Sequence, residues 1–208
     1  LPPIRLYVPD ASSVLRYNRA EGWYGGLGLS YVASPSLRFD ALGGFAFGAE
    51  HPLGMVQLRA DRANTRIYLA GEINAMRDVG PVPGLPGVLN TVAGRLFRED
   101  YLDPYYADAL SLRLEQQLGR FMRAQLRVAV EEHRSATLTQ NAAEFQPVLP
   151  IDDGRAFELT AALQRSLPET AGLRWAGALG VDVVRFDKRW FTRPRLELRA
   201  QYDSEGKT

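Results

Sequence analysis

The sequence predicts an all-β protein of about ten long antiparallel strands in up-and-down order, and three observations carry that reading. Apolar and polar residues alternate with a period of two along most of the 208 residues. Successive side chains of a strand point to opposite faces, so this period means strand. Many of the alternating segments are longer than the about five or six residues usual for a soluble sheet. The connections between them, in turn, alternate between tight and long.

Taken in order, the strands begin with "VLRYN" (14–18) and "WYGGLGLSYVA" (23–33), which sets Trp23, Leu27, Leu29 and Tyr31 against Tyr24, Gly26, Gly28 and Ser30. "LRFDALGGFAFG" (37–48) and "LGMVQLRAD" (53–61) follow. "RIYLAGEINAMRD" (66–78) opposes Ile67, Leu69 and Ile73 to Arg66, Glu72 and Asn74. "DALSLRLEQQLG" (108–119) and "FMRAQLRVAVEEHR" (121–134) have the clearest alternation. "AFELTAALQRSL" (156–167), "LRWAGALGVDVVRF" (173–186) and "PRLELRAQYD" (194–203) complete the set.

A strand of about nine to eleven residues crosses a bilayer when tilted. The tight connections are "ASPS", "DRANT", "LGR" and "PETAG"; between them fall "AEHP", 79–107, 134–154 and "DKRWFTR". Membrane barrels place short turns on the periplasmic side and long loops outside. Aromatic residues, among them Trp23, Tyr31, Phe47, Phe121, Trp175 and Trp190, cluster near strand ends, where interfacial girdles lie. The expected fold is therefore a transmembrane antiparallel β-barrel, with the apolar set toward lipid and the polar set inside. Its expected layout is an N-terminal periplasmic lead-in (1–13), the barrel (14–203) and a C-terminal tail (204–208). A soluble sheet whose aromatic residues sit in its core is the competing fold.

Composition agrees with either fold. The net charge is +1 and cysteine is absent, so neither a nucleic-acid surface nor disulfide or thiolate chemistry is expected. No apolar run reaches the roughly 20 residues of a spanning helix.

The polar face carries both signs. Arg113 and Glu115 precede the "LGR" turn, and Arg123, Arg127 and Glu131 follow it, so a ladder of lumen ion pairs across that hairpin is expected. The rhythm breaks within 79–107. There Leu85, Val88, Leu89, Val92 and Leu96 fall at helical spacing, predicting a short amphipathic helix over about 85–98. Its apolar stripe is expected against the barrel rim, either as a lid over the outer mouth or as a packed loop helix.

"VLRYNRAEGWYGGLGLSY", "RIYLAGEINAMRDVGPVPGLPGVLNTVAGRLFREDYLDPYY" and "VEEHRS" resemble the barrel portion of bacterial outer-membrane proteins similar to the surface-antigen and outer-membrane assembly-factor superfamily. The likeness lies in strand rhythm and these blocks, with no catalytic signature. It implies an outer-membrane location in a Gram-negative-type envelope, with the lipid bilayer and other envelope proteins as partners. The role implied is non-enzymatic: transport, assembly or surface interaction. The chain departs from the family pattern in being short and in closing with "DSEGKT".

Sites of chemistry are sparse. The two histidines, His51 and His133, lie on separate segments, so no metal site and no cofactor are expected. His133 and Ser135 share a strand face, with Asn141 further on. That order resembles the His–Ser–Asn set of outer-membrane phospholipases, in which serine needs a histidine base. It defines an alternative, enzymatic reading; a soluble all-β binding protein is another. Asp152 and Asp153, with Glu50 and Asp187, are acidic loop residues of the kind that bind Ca²⁺ or are simply solvated.

Overall fold

The computed structural model describes residues 3–79, 87–98, 100, 102–139, 145, 147–166 and 173–202, with backbone alone at 87, 173, 174 and 199–202. Leu85, Asn141, the "PETAG" turn and the 204–208 tail lie outside the described residues.

Among the described residues eleven strands form one antiparallel sheet: β1 (Ile4–Leu6), β2 (Leu15–Asn18), β3 (Gly22–Ser34), β4 (Leu37–Ala46), β5 (His51–Arg62), β6 (Thr65–Asp78), β7 (Pro104–Gly119), β8 (Met122–Ser135), β9 (Gly154–Ser166), β10 (Leu173–Phe186) and β11 (Arg189–Tyr202). Neighbours in the chain are neighbours in the sheet from β3 to β11, while β1 and β2 share the outer side of β3. Both pair antiparallel to β3, β1 at Leu29–Tyr31 and β2 at Gly22–Gly25. They act as a single edge strand, interrupted by a segment that holds the 3₁₀ turn Ala11–Ser13 and its Asp10 cap. β1, within the stretch expected as a lead-in, belongs to the sheet. Among the described residues the sheet is open: β11 pairs with β10 and with neither β1 nor β2.

Register shows a systematic stagger. Leu37, the first residue of β4, pairs with Ala60, two residues short of the end of β5. Thr65, the first of β6, pairs with Gln116, three short of the end of β7. Met122, the first of β8, pairs with Arg165, one short of the end of β9. The offset always has the same sign. Close to one residue per strand, at roughly 3.3 Å per residue and 4.8 Å between strands, it corresponds to strands tilted by about 35°.

The register also sorts the faces. One row across the sheet reads Ile4, Tyr31, Phe39, Leu58, Leu69, Leu112, Val128, Leu159, Val183, Thr192, each paired with the next. The adjacent row, on the opposite face, reads Arg38, Arg59, Tyr68, Arg113, Arg127, Thr160, Asp182, Arg193.

Burial is inverted relative to a water-soluble domain. Ser30, Asp40, Glu131, Thr160 and Asp182 on the polar face are buried, Asp182 completely. Leu29, Val56, Ile73, Leu112, Val130 and Leu179 on the apolar face are exposed, and Leu196 and Leu198 reach 72 %. Aromatic residues stand at both limits of the apolar band, with Trp23, Phe45, Phe47 and Trp190 at one end and Tyr31, Phe39 and Trp175 at the other. From Trp23 to Tyr31 the band follows β3 for about 26 Å at 3.3 Å per residue.

Two further features differ from expectation. Only two connections at the loop end are long, because "DKRWFTR" is a turn at Asp187 and Lys188 followed directly by β11. Pro194 sits within that strand, which is tolerated because β11 is an edge strand. The short helix is present where it is expected, but it faces the other way. Helix α1 (Gly87–Val92) continues into a π turn (Ala93–Phe97) that Arg98 ends in the left-handed region, φ 59°. Val88, Leu89, Val92 and Leu96 are exposed, while Asn90 and Gly94 are buried. Polar contacts dock it: the Thr91 hydroxyl accepts from Tyr17 N–H (3.1 Å), and Asn90 donates to Asp100 (3.0 Å). Asp100 in turn accepts the Arg19 N–H at 2.6 Å. Thr91 and Asp100 thereby cap alternate N–H groups along the continuation of the β2 edge, donors that would otherwise lack partners.

Candidate functional site

The polar face is the part of the molecule with chemical content, and arginine dominates it. The segment Leu–Arg–x–acid recurs at 37–40, 58–61 and 112–115. In a strand it sets the leucine on the apolar face, with the arginine and the acid two residues apart on the other. Arg38 Nε donates to Asp40 at 2.7 Å, and Arg59 meets Asp61 through Nε (3.0 Å) and Nη2 (2.7 Å). Arg113 Nε lies 3.5 Å from Glu115. Tyr68 stands between Arg59 and Arg113, with the Arg113 guanidinium 4.0 Å from its ring centroid.

The five expected lumen residues all occupy this face, but they do not pair with one another across the β7–β8 hairpin, which is bridged instead by Arg134 and Asp108 (2.8 Å) on the other face. Register places Arg113 directly opposite Arg127, and Gln117 opposite Arg123. Like charges cannot pair, so Arg127 turns to Glu131 on its own strand (3.0 Å) and to Glu158 on β9. Arg113 turns to Glu115 and Tyr68, while Arg123 lines a cleft at the turn end with Asp61, Arg66 and Glu115.

Sequence reasoning missed the two most buried charge clusters. Asp182 accepts from Arg193 Nε (3.1 Å), Arg195 Nη2 (2.6 Å) and the Thr160 hydroxyl (2.9 Å), tying β9, β10 and β11 together. At the loop end Glu21, fully buried, holds Arg16 through two bonds of 2.6 Å and Asn18 at 2.5 Å. The Arg16 guanidinium stacks 3.7 Å from the Tyr24 ring centroid. That ring lies over the directly paired Gly26 and Gly44, where a Cβ on either residue would overlap it. Arg19 joins the cluster to the β6–β7 loop through Asp103 (2.5 Å) and the Asp100 carbonyl (2.9 Å).

The His133–Ser135 pair is not assembled. His133 Nε2 faces Glu131 Oε2 at 3.1 Å, and its ring stands against Tyr105. The Ser135 hydroxyl donates to the Ile151 carbonyl (2.8 Å) and accepts from the Ile151 N–H (3.2 Å). No hydrogen bond joins the two among the described residues. They line different clefts, His133 one of about 900 Å³ with Arg193 and Arg195, and Ser135 one of about 540 Å³ with His51 and Tyr106. Both residues lie on the polar face. Asp152, Asp153 and Asp187 border a third cleft interspersed with Arg185, Lys188 and Arg189, whereas Glu50 lies elsewhere. Among the described residues no group of three or more His, Asp or Glu side chains is placed to hold a metal.

No family model, no curated protein and no solved structure matches this chain.

Proposed function

We propose that this chain is a bilayer-embedded β-barrel of the outer-membrane type, with the apolar face against lipid and the arginine-rich face lining a polar interior. Its role is non-enzymatic, in transport, assembly or surface interaction. The observation that carries the reading is the inverted burial: buried charged residues on one face and an exposed apolar band on the other, bordered toward the loop end by the exposed Arg134–Asp108 pair. In water such a band far exceeds the apolar patches of a soluble monomer. In hydrocarbon it is the favourable arrangement, and the aromatic rows at its two limits suit the interfaces.

Closure of the sheet is part of the proposal. Unpaired backbone groups along β11 would each cost several kcal/mol in hydrocarbon, so embedding requires the free edges to be paired. The tilt of about 35° implied by the stagger falls in the range of closed barrels. Likeness to the surface-antigen and assembly-factor superfamily, resting on strand rhythm and the quoted blocks, agrees with this reading. The long loops over 79–103 and 136–153 then lie on the outer side.

Refolding from denaturant tests it. The chain should fold only when detergent or phospholipid is present, and the folded form should migrate differently on gels before and after boiling. A monodisperse, folded chain in plain buffer would overturn the proposal.

A further inference from the structure

The arginine row raises a physical problem that the ion pairs leave open. Arg38 faces Arg59 across β4 and β5, and Arg113 faces Arg127 across β7 and β8. Like charges directly opposite on a sheet destabilise it. Each guanidinium offers five N–H donors in a fixed fork, yet each of these arginines spends at most two on its acid. Arg113 makes no hydrogen bond at Nε, and its plane is held against Tyr68. Asp40, Glu115, Glu131 and Asp182 also lie deeper than the arginines they pair with. Asp61, by contrast, is as exposed as Arg59, and along the row the guanidinium groups keep donors that no acid takes.

We propose that this row is an anion-binding track, with the opposed pairs Arg38–Arg59 and Arg113–Arg127 as its two clamps, and that it takes soluble oxyanion-bearing molecules, phosphates or carboxylates. An oxyanion between two facing guanidinium groups relieves their repulsion and accepts the donors that the acids leave over. Tyr68 spaces the clamps and holds the Arg113 plane by cation–π contact. The inference rests on the reading that the polar face is the wet one.

Pyrophosphate titrated calorimetrically into the full chain, folded in zwitterionic detergent at low salt, tests the track. Saturable binding is expected, weakening as salt rises. Arg113→Gln should weaken it about tenfold, the loss expected for a charge-assisted bond. Arg120→Gln, at the turn beyond the row, should leave it unchanged. Pyrophosphate should raise the unfolding midpoint of the parent chain but not that of Arg113→Gln, which without anion should be no less stable than the parent. A parallel arm with short-chain phosphatidylglycerol distinguishes a lipid headgroup from a free oxyanion. Absence of saturable pyrophosphate binding, equal affinity in Arg113→Gln, or binding confined to the lipid arm would each overturn the track. Failure to insert into detergent or lipid at all would overturn the reading beneath it, and is scored separately on the same samples.

Discussion

Leu112 and Leu118 lie on the same strand and are equally exposed, at 50 % and 51 %. Replacing either with arginine therefore makes two opposed accounts diverge. For a protein bathed in water, both are ordinary surface substitutions, and both should change stability by no more than about 0.5 kcal/mol. For a lipid-facing band, depth decides. Leu112 is central on β7, with Leu69 and Val128 as its cross-strand neighbours. Leu118 is six residues nearer the turn, about 20 Å along the strand and roughly 16 Å in height at the inferred tilt. Arginine costs about 2–4 kcal/mol at the bilayer midplane and about 0–1 kcal/mol near the interface. Leu112→Arg should thus lower the folding equilibrium by about 30- to 1000-fold, and Leu118→Arg by less than about fivefold. Guanidinium titration of the chain refolded into phospholipid vesicles, followed by tryptophan fluorescence, reads both. Equal effects at the two positions would refute the reasoning.

Glu21→Ala strands the Arg16 guanidinium in a buried site and should destabilise by about 3–5 kcal/mol; adding Arg16→Met should recover much of that loss in the same denaturant titration. Gly44→Ala should cost about 1–3 kcal/mol by displacing the Tyr24 ring, and the cost should largely vanish in a Tyr24→Ala background. Cysteines at Asp153 and Lys188 should react with a membrane-impermeant thiol reagent on intact cells, while one at Asn64, at the opposite end of the sheet, should not. The reverse labelling pattern would turn the barrel over.

Much of the architecture is legible because a period of two is a local property. β10 (Leu173–Phe186) coincides with its expected segment, and β3, β6 and β8 begin within a residue of theirs. β1 escaped because three residues are too few to show a period. The start of β11 escaped because Trp190 and Phe191, adjacent aromatic residues on opposite faces, look like a break in alternation. The orientation of the helix is not legible in its spacing, for a more general reason. Its apolar spacing invites burial of Val88, Leu89 and Val92, but the unpaired N–H groups at the β2 edge claim Thr91 and Asp100. Backbone satisfaction outweighed the stripe, and nothing in the spacing shows where an edge lies. The arginine row depends on register between strands far apart in sequence, so the individual segments do not display it. The repeated Leu–Arg–x–acid segment is the one clue that could have revealed it.

Nitroxide labels on β8 test the central claim most directly, because neighbouring positions on one strand face opposite sides. In reconstituted vesicles, labels at Leu126 and Val128 should be accessible to oxygen and shielded from a water-soluble nickel chelate. Labels at Gln125 and Arg127 should show lower oxygen accessibility than their neighbours. The reverse alternation, with the chelate reaching Leu126 and Val128, would contradict a lipid-facing apolar band.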